Sequence, residues 1–235
     1  MENTENIKLE FLRRIDLFSS MTDEELQGIS GDIVIEEFKK NEVILREEDT
    51  GGFMYIILFG KVKAYKTTEE GKEIILALHQ TNEFFGELSL IDGKTTPATV
   101  SAIEDSLISI ISKKAFYSFL AQRPPVLEKI LHILCARIRE SWEKIRMLNA
   151  KHASQKIILL LLMLSHEYGK KTPEGILMEL KLTHQDIADM TGLTRESVTR
   201  SMDKLQKENE ISVLNNKLIR LNTGFLRQYA DAGSD

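Results

Sequence analysis

One cysteine, Cys135, is all that the 235 residues contain. With no second cysteine in the chain, a disulfide-stapled scaffold is excluded, as is any iron–sulfur or metal centre held by the cysteines of one chain. Histidine is also patternless: His79, His132, His152, His166 and His184 form no i,i+3 or i,i+4 pair, so no zinc motif arises. No glycine-rich loop is placed to cradle phosphates, and no activated nucleophile is evident. A β-barrel enzyme, the main catalytic alternative, therefore lacks its chemistry. Met1 to Glu10 is acidic and polar where a secretory signal needs a basic start and an apolar stretch. The longest apolar run, Ile157 to Leu164, falls far short of the roughly 20 residues a membrane-spanning helix requires. A cytoplasmic protein with no membrane partner is expected.

What remains is an ordinary globular composition, 42% hydrophobic and 29% charged, long enough for one large or two small domains. The net charge of -5 argues at first against a nucleic-acid partner. That argument weakens when the chain is divided, because residues 1–120 carry 13 basic and 22 acidic side chains, net -9, whereas residues 121–235 carry 18 and 14, net +4. Two domains with different partners are implied, the basic one able to approach a polyanion.

The hydrophobic pattern divides the chain at similar places. Leu9, Leu12, Ile15 and Leu17 suggest a helical prelude, and Thr22 with Glu25 forms a capping box for the next helix. From Ile33 to Ile111 short β-rich runs alternate with glycine turns, the pattern of a small antiparallel barrel or jelly roll. After Pro124-Pro125 neither proline nor glycine interrupts the chain until Gly169, so a long helix is expected. Leu127, Leu131, Leu134, Ile138, Ile145 and Leu148 occupy its a and d positions, with Ser141 a polar intruder at d. Such a stripe can pack on its own domain or against a second chain. Three sustained heptads flanked by charge favour the second, a homodimer. The expected division is a β-roll sensor over 1–122, a dimerisation helix over 123–150 and a third domain over 151–235. In the last, Ile211–Leu214 and Leu218–Leu221 flank Asn215-Asn216, which tolerate the positive φ of a tight hairpin.

Residues 183–205 carry the motif with functional content. Thr183 can cap a first helix, Ile187 and Ala188 face inward, Gly192 permits a tight turn, and Thr194 caps a second helix whose inner face is Val198, Met202 and Leu205. This is a helix-turn-helix followed by a wing, and it points to double-stranded DNA. Arg195, Glu196 and Arg200 project from the outer face of the second helix. Arginine can donate two hydrogen bonds to guanine O6 and N7, and glutamate can accept from cytosine N4. Glu196 and Arg200 can also form an i,i+4 surface pair. Thr183, His184, Thr194, Ser197 and Thr199 are placed to touch phosphates.

The whole set resembles the CRP/FNR family of bacterial transcription regulators. The residues that carry the resemblance are Phe11–Phe18, Thr22–Leu26, Tyr55–Lys63 around Gly60, Phe85-Gly-Glu-Leu-Ser-Leu90, and the helix-turn-helix with Arg195, Glu196 and Arg200. The resemblance implies an α+β chain: an antiparallel, jelly-roll-like β-roll of cyclic-nucleotide-binding type, a long dimerisation helix and a C-terminal winged helix-turn-helix. It further implies a palindromic DNA site with TGTGA-like half-sites and, in an activator, contact with RNA polymerase. Effector-pocket candidates carried over are Gly86, Glu87, Leu88, Thr96, Pro97 and Ser141. Where cyclic-AMP-binding relatives have an Arg and then a Ser or Thr against the cyclic phosphate, this chain has Thr96 and Pro97. The guanidinium is absent, and proline brings neither hydroxyl nor N–H. A loss of about 2 to 5 kcal/mol of binding is expected, and an effector other than cyclic AMP. Ser141 matches an adenine-contacting hydroxyl of relatives, or is simply a polar heptad position. His79 could offer haem an axial ligand, or be a satisfied residue of the sensor domain. No cofactor is identified from these residues.

Overall fold

The computed structural model describes residues 9–120, 122–214 and 217–229, apart from the side chains of Asp16, Phe119 and Leu120. Compact packing divides the chain into two units, Met1–Arg137 and Ile138–Asp235.

In the first unit, residues 9–14 are helical, a short 3-10 turn follows at Asp16–Phe18, and α1 spans Asp23–Ser30. Thr22 caps α1 as expected, its hydroxyl accepting from the Glu25 N–H at 3.3 Å while the Glu25 carboxylate accepts from the Thr22 N–H at 2.9 Å. Eight strands follow: β1 (Ile33–Phe38), β2 (Val43–Leu45), β3 (Phe53–Phe59), β4 (Lys61–Thr67), β5 (Glu73–Gln80), β6 (Phe84–Phe85), β7 (Thr99–Ala102) and β8 (Ser106–Ser112). They form two antiparallel four-stranded sheets, in the orders β1-β8-β3-β6 and β2-β7-β4-β5. This is the expected β-roll.

The run Met54–Leu58 in β3 is apolar without alternation because both of its faces are covered. Met54, Ile56 and Leu58 pack with Leu12, Ile15 and Leu26 of the helical prelude. Tyr55 and Ile57 point the other way, into a second cluster with Val62 and Val100 from the other sheet and Ile108 from the neighbouring strand β8. Between β6 and β7 lies α2 (Glu87–Asp92), a helix that the sequence pattern did not suggest. After a helical turn at Lys113–Ala115 and a π turn at Phe116–Leu120, α3 runs without interruption over Pro124–Leu148. Val126 and Ile130 bury its first turns in the cluster beneath the prelude, and Arg123 donates to the Glu25 carboxylate at 3.2 Å.

In the second unit, α4 (Ala153–Tyr168) contains the long apolar run, with Ile157 and Leu161 fully buried. It leads into β9 (Gly169–Thr172) and β10 (Gly175–Lys181). Helices α5 (His184–Thr191) and α6 (Arg195–Lys207) come next, then β11 (Ile211–Val213), β12 (Leu218–Asn222) and α7 (Thr223–Tyr229). The strands make one antiparallel sheet in the order β11-β12-β10-β9. The expected wing hairpin is β11–β12; its turn residues Asn215 and Asn216 lie outside the described residues.

Candidate nucleic-acid interface and ligand pocket

The caps and the turn of the helix-turn-helix are arranged as the residue types require. Thr183 has extended backbone, and its hydroxyl accepts from the Asp186 N–H at 3.1 Å while Asp186 accepts from the Thr183 N–H at 2.7 Å. The third helical residue thus closes a capping box through an aspartate, a signal that was available in the sequence. Gly192 ends α5 at φ 68, ψ 20, in the left-handed region where a side chain is disfavoured, and the chain re-enters a helix at Arg195. Thr194 caps α6 by accepting from the Ser197 N–H at 3.2 Å. Ile187, Ala188 and Val198 are fully buried, and Met202 and Leu205 nearly so, which fixes α6 against α5.

This packing leaves Arg195, Glu196 and Arg200 exposed on the outer surface of α6. The Glu196 carboxyl is held below the ordinary glutamate value, first by a hydrogen bond from its own backbone N–H, then by the Thr194 hydroxyl and the charges of Arg195 and Arg200, against a smaller cost of desolvation. It therefore stays an acceptor at neutral pH, the state required to accept a hydrogen bond from the N4–H of cytosine. Among the described residues Arg200 does not close an ion pair with Glu196; its Nη2 donates to Ser197 Oγ at 3.4 Å.

The hydroxyls grouped with the phosphates have prior commitments. Thr199 Oγ1 donates to the Arg195 carbonyl at 2.9 Å and lies 2.9 Å from His184 Nδ1, so Nδ1 must be the donor in the second contact. This ties the start of α5 to α6 and leaves Nε2 as the remaining polar atom of the His184 ring. Thr194 Oγ1 is likewise committed, hydrogen-bonded to the Glu196 carboxylate and 3.1 Å from Ser197 Oγ.

In the β-roll, Glu87 opens α2 behind Gly86, whose φ is 80. A Cβ at Gly86 would come within 2.9 Å of the Phe53 carbonyl and 2.8 Å of the Tyr55 ring, so the close approach of β3 demands glycine here. The Glu87 side chain is 4% exposed and is met by Arg137 of α3, with Nη1 2.9 Å from Oε1. The guanidinium also donates to the Phe84 carbonyl and lies 4.8 Å over the Phe84 ring. Arg137 was absent from the expected pocket. Thr96 is buried, and its hydroxyl donates to the Asp49 carbonyl at 3.1 Å, which its own N–H also reaches at 2.9 Å. Pro97 and Leu88 are exposed, as is Ser141 on α3. Of the six pocket candidates, only Glu87 and Thr96 present buried polar side chains, and both are engaged by protein groups. His79 is buried between β-roll side chains, its Nδ1 3.0 Å from Glu83 Oε2 and its ring stacked on Phe85 at 6.3 Å. The imidazole is thus a hydrogen-bonded core residue in this structure. No three His, Cys, Asp or Glu side chains converge as a metal-ligand group among the described residues.

Along α3, Leu131, Ile138, Ile145 and Leu148 are exposed, whereas Leu127 and Leu134 are half-buried, Leu134 leaning on the core of its own unit. The helix therefore packs on its own domain through one side and presents an apolar stripe on another.

A β-roll and a winged helix-turn-helix in one chain define a DNA-binding transcription regulator with a cyclic-nucleotide-binding-type sensor. Residues 35–123 match the cyclic nucleotide-binding domain family, and residues 155–229 match the Crp-like helix-turn-helix domain family. A global nitrogen regulator of Synechocystis sp. is 31% identical over 79% of this chain and 83% of its own length. A CRP-like cAMP-activated global transcriptional regulator of Mycobacterium tuberculosis is 24% identical over 82% of this chain and 86% of its own. Among solved structures, FixK2 from Bradyrhizobium japonicum shares the fold, with a TM-score of 0.72 at 22% identity, covering 83% of this chain and 96% of that one. The chain belongs to the CRP/FNR family of transcription regulators. No helix among the described residues is long and apolar enough to cross a membrane.

Proposed function

We propose that the protein is a cytoplasmic homodimer that binds palindromic DNA with TGTGA-like half-sites through α6, and that its β-roll responds to a ligand other than cyclic AMP. The observation that carries the DNA reading is the exposure of Arg195, Glu196 and Arg200 together on the outer surface of a helix whose inner surface is buried. Two such helices spaced by about one DNA turn, roughly 34 Å, read successive major grooves of a two-fold site. His184, Thr183, Thr194, Ser197 and Thr199 lie at the helix starts beside them, where phosphates approach. The apolar stripe Leu131, Ile138, Ile145 and Leu148, with Leu127 and Leu134 at its edge, supplies the dimer seam. Where the regulator activates, RNA polymerase is its further partner.

The effector reading rests on Thr96 and Pro97. A buried hydroxyl already donating to Asp49 and a proline ring offer a cyclic phosphate no guanidinium and no free donor. Selection from random DNA with the full-length protein, with and without added cyclic AMP, tests both halves. A two-fold TGTGA-like site selected equally in both conditions is expected. Enrichment of no palindrome would remove the DNA reading, and binding only with micromolar cyclic AMP would remove the effector reading.

A further inference from the structure

His184, at the start of α5, has one ring nitrogen committed and one not. Thr199 Oγ1 lies 2.9 Å from the Arg195 carbonyl, an oxygen that only accepts, so the single hydroxyl proton is used there. His184 Nδ1 reaches the same hydroxyl at 2.9 Å and must therefore carry a proton of its own. A neutral imidazole with its proton on Nδ1 has a bare lone pair on Nε2. The oxygens of a DNA phosphodiester also offer only lone pairs. Neutral His184 thus has no donor for a phosphate at Nε2, whereas the imidazolium has one, and a charged one. The protonation state in which His184 can act is set by a hydroxyl on the recognition helix.

The charged groups on α5 and its neighbours are Asp186 and Asp189 on α5 itself, Lys181 at the end of β10, Arg195, Glu196, Arg200 and Asp203 on α6, and Lys156, His166 and Glu167 on α4. The nearest carboxylates along the chain are committed elsewhere, Asp186 to the N–H and hydroxyl of Thr183 and Asp189 to the Gln185 amide. Among the described residues the ion pairs of histidine are those of His79 and His132, so a protonated His184 meets no anion of its own chain. We infer that His184 grips a DNA phosphate only as the imidazolium, so that each half-site takes up a proton on binding and affinity for DNA rises as the pH falls. The inference rests on the reading above that places His184 against the DNA backbone. Thr199 is then a positioning residue that acts through His184. Histidine is the side chain whose charge ordinarily changes between about pH 5 and 8, so the DNA-binding domain carries an input of its own that needs no ligand in the β-roll.

The test uses the full-length protein and its selected palindrome at fixed ionic strength. One linked proton changes affinity by at most about tenfold per pH unit, so with two half-sites wild type should bind about tenfold or more tightly at about pH 6 than at about pH 8. The added phosphate contacts should also steepen the fall of log K with log salt at the lower pH, by up to about 1.8 for two phosphates. His184→Gln, neutral throughout, should lose most of both responses, and His184→Arg, a permanent cation, should bind tightly at either pH. Base preferences should not move with pH, because a phosphate carries no sequence. Calorimetry of wild type binding its site in two buffers of different ionisation enthalpy counts the protons directly, and it decides alone should the variants not fold. No proton uptake across this range, or a pH response as large in His184→Gln as in wild type, overturns this inference while the selected palindrome stands. Enrichment of no palindrome at either pH removes the DNA reading and this inference with it.

Discussion

Gly192 offers a test of the helix-turn-helix in which one physical effect can be isolated. Its backbone is left-handed at φ 68, and a Cβ built there meets nothing within 4 Å. Replacement by alanine therefore adds no clash, and the cost is conformational. A left-handed L-residue costs about 1 to 2 kcal/mol, partly offset by the about 0.4 to 1 kcal/mol that alanine gains by restricting the unfolded chain. The net spans about 0 to 1.6 kcal/mol and centres on about 0.8 kcal/mol, which corresponds to local opening about fourfold more frequent. Amide hydrogen exchange of the full-length protein, followed over peptides within 183–207, reads that opening and should show faster exchange by this factor. Gly192→Asn, which tolerates the left-handed region, should fall between alanine and wild type. Equal exchange in all three proteins, or equal acceleration by alanine and asparagine, would show that the turn is not held by its backbone conformation.

Two further perturbations follow from the charges. Arg137→Ala leaves the Glu87 carboxylate buried and unpaired, so it should destabilise the β-roll by about 3 to 5 kcal/mol in denaturant unfolding, most of which the double replacement by glutamine at 87 and 137 should restore. Glu25 has its carboxyl held below the ordinary glutamate value, first by the hydrogen bond from the Thr22 N–H and, against some desolvation, by Arg123. A lowered folded value means that its contribution is present above the ordinary glutamate range and lost as pH falls through the lowered one. The gap in melting temperature between wild type and Glu25→Gln should thus be open at neutral pH and close on acidification; a gap that widens in acid contradicts the assignment.

Local chemistry was legible in the sequence wherever a backbone conformation had to be met by a particular residue type. Thr22, Thr183, Thr194 and Gly192 are where capping and turn rules place them, and the strand rhythm from Ile33 to Ile111 defined the β-roll. Helix α2 was not legible, because six residues between two strands give no helical period and Gly86 reads equally as a turn. The Arg137–Glu87 pair was not legible either: the partners stand 50 residues apart, and heptad position g accounts for an arginine without any β-roll contact. The α3 stripe could be read as a dimer seam or as a domain contact; Leu134 leans on the core of its own unit, whereas Leu131, Ile138, Ile145 and Leu148 are exposed.

Whether α6 reads bases is decided by Arg200→Ala measured on single-base variants of the selected palindrome. Removing one bidentate arginine should weaken binding to the cognate site by about 1 to 3 kcal/mol, roughly 5- to 150-fold, and relax preference at one base pair in each half-site. Uniform weakening on cognate and random DNA alike, with every base preference intact, would mean that Arg200 only touches the backbone.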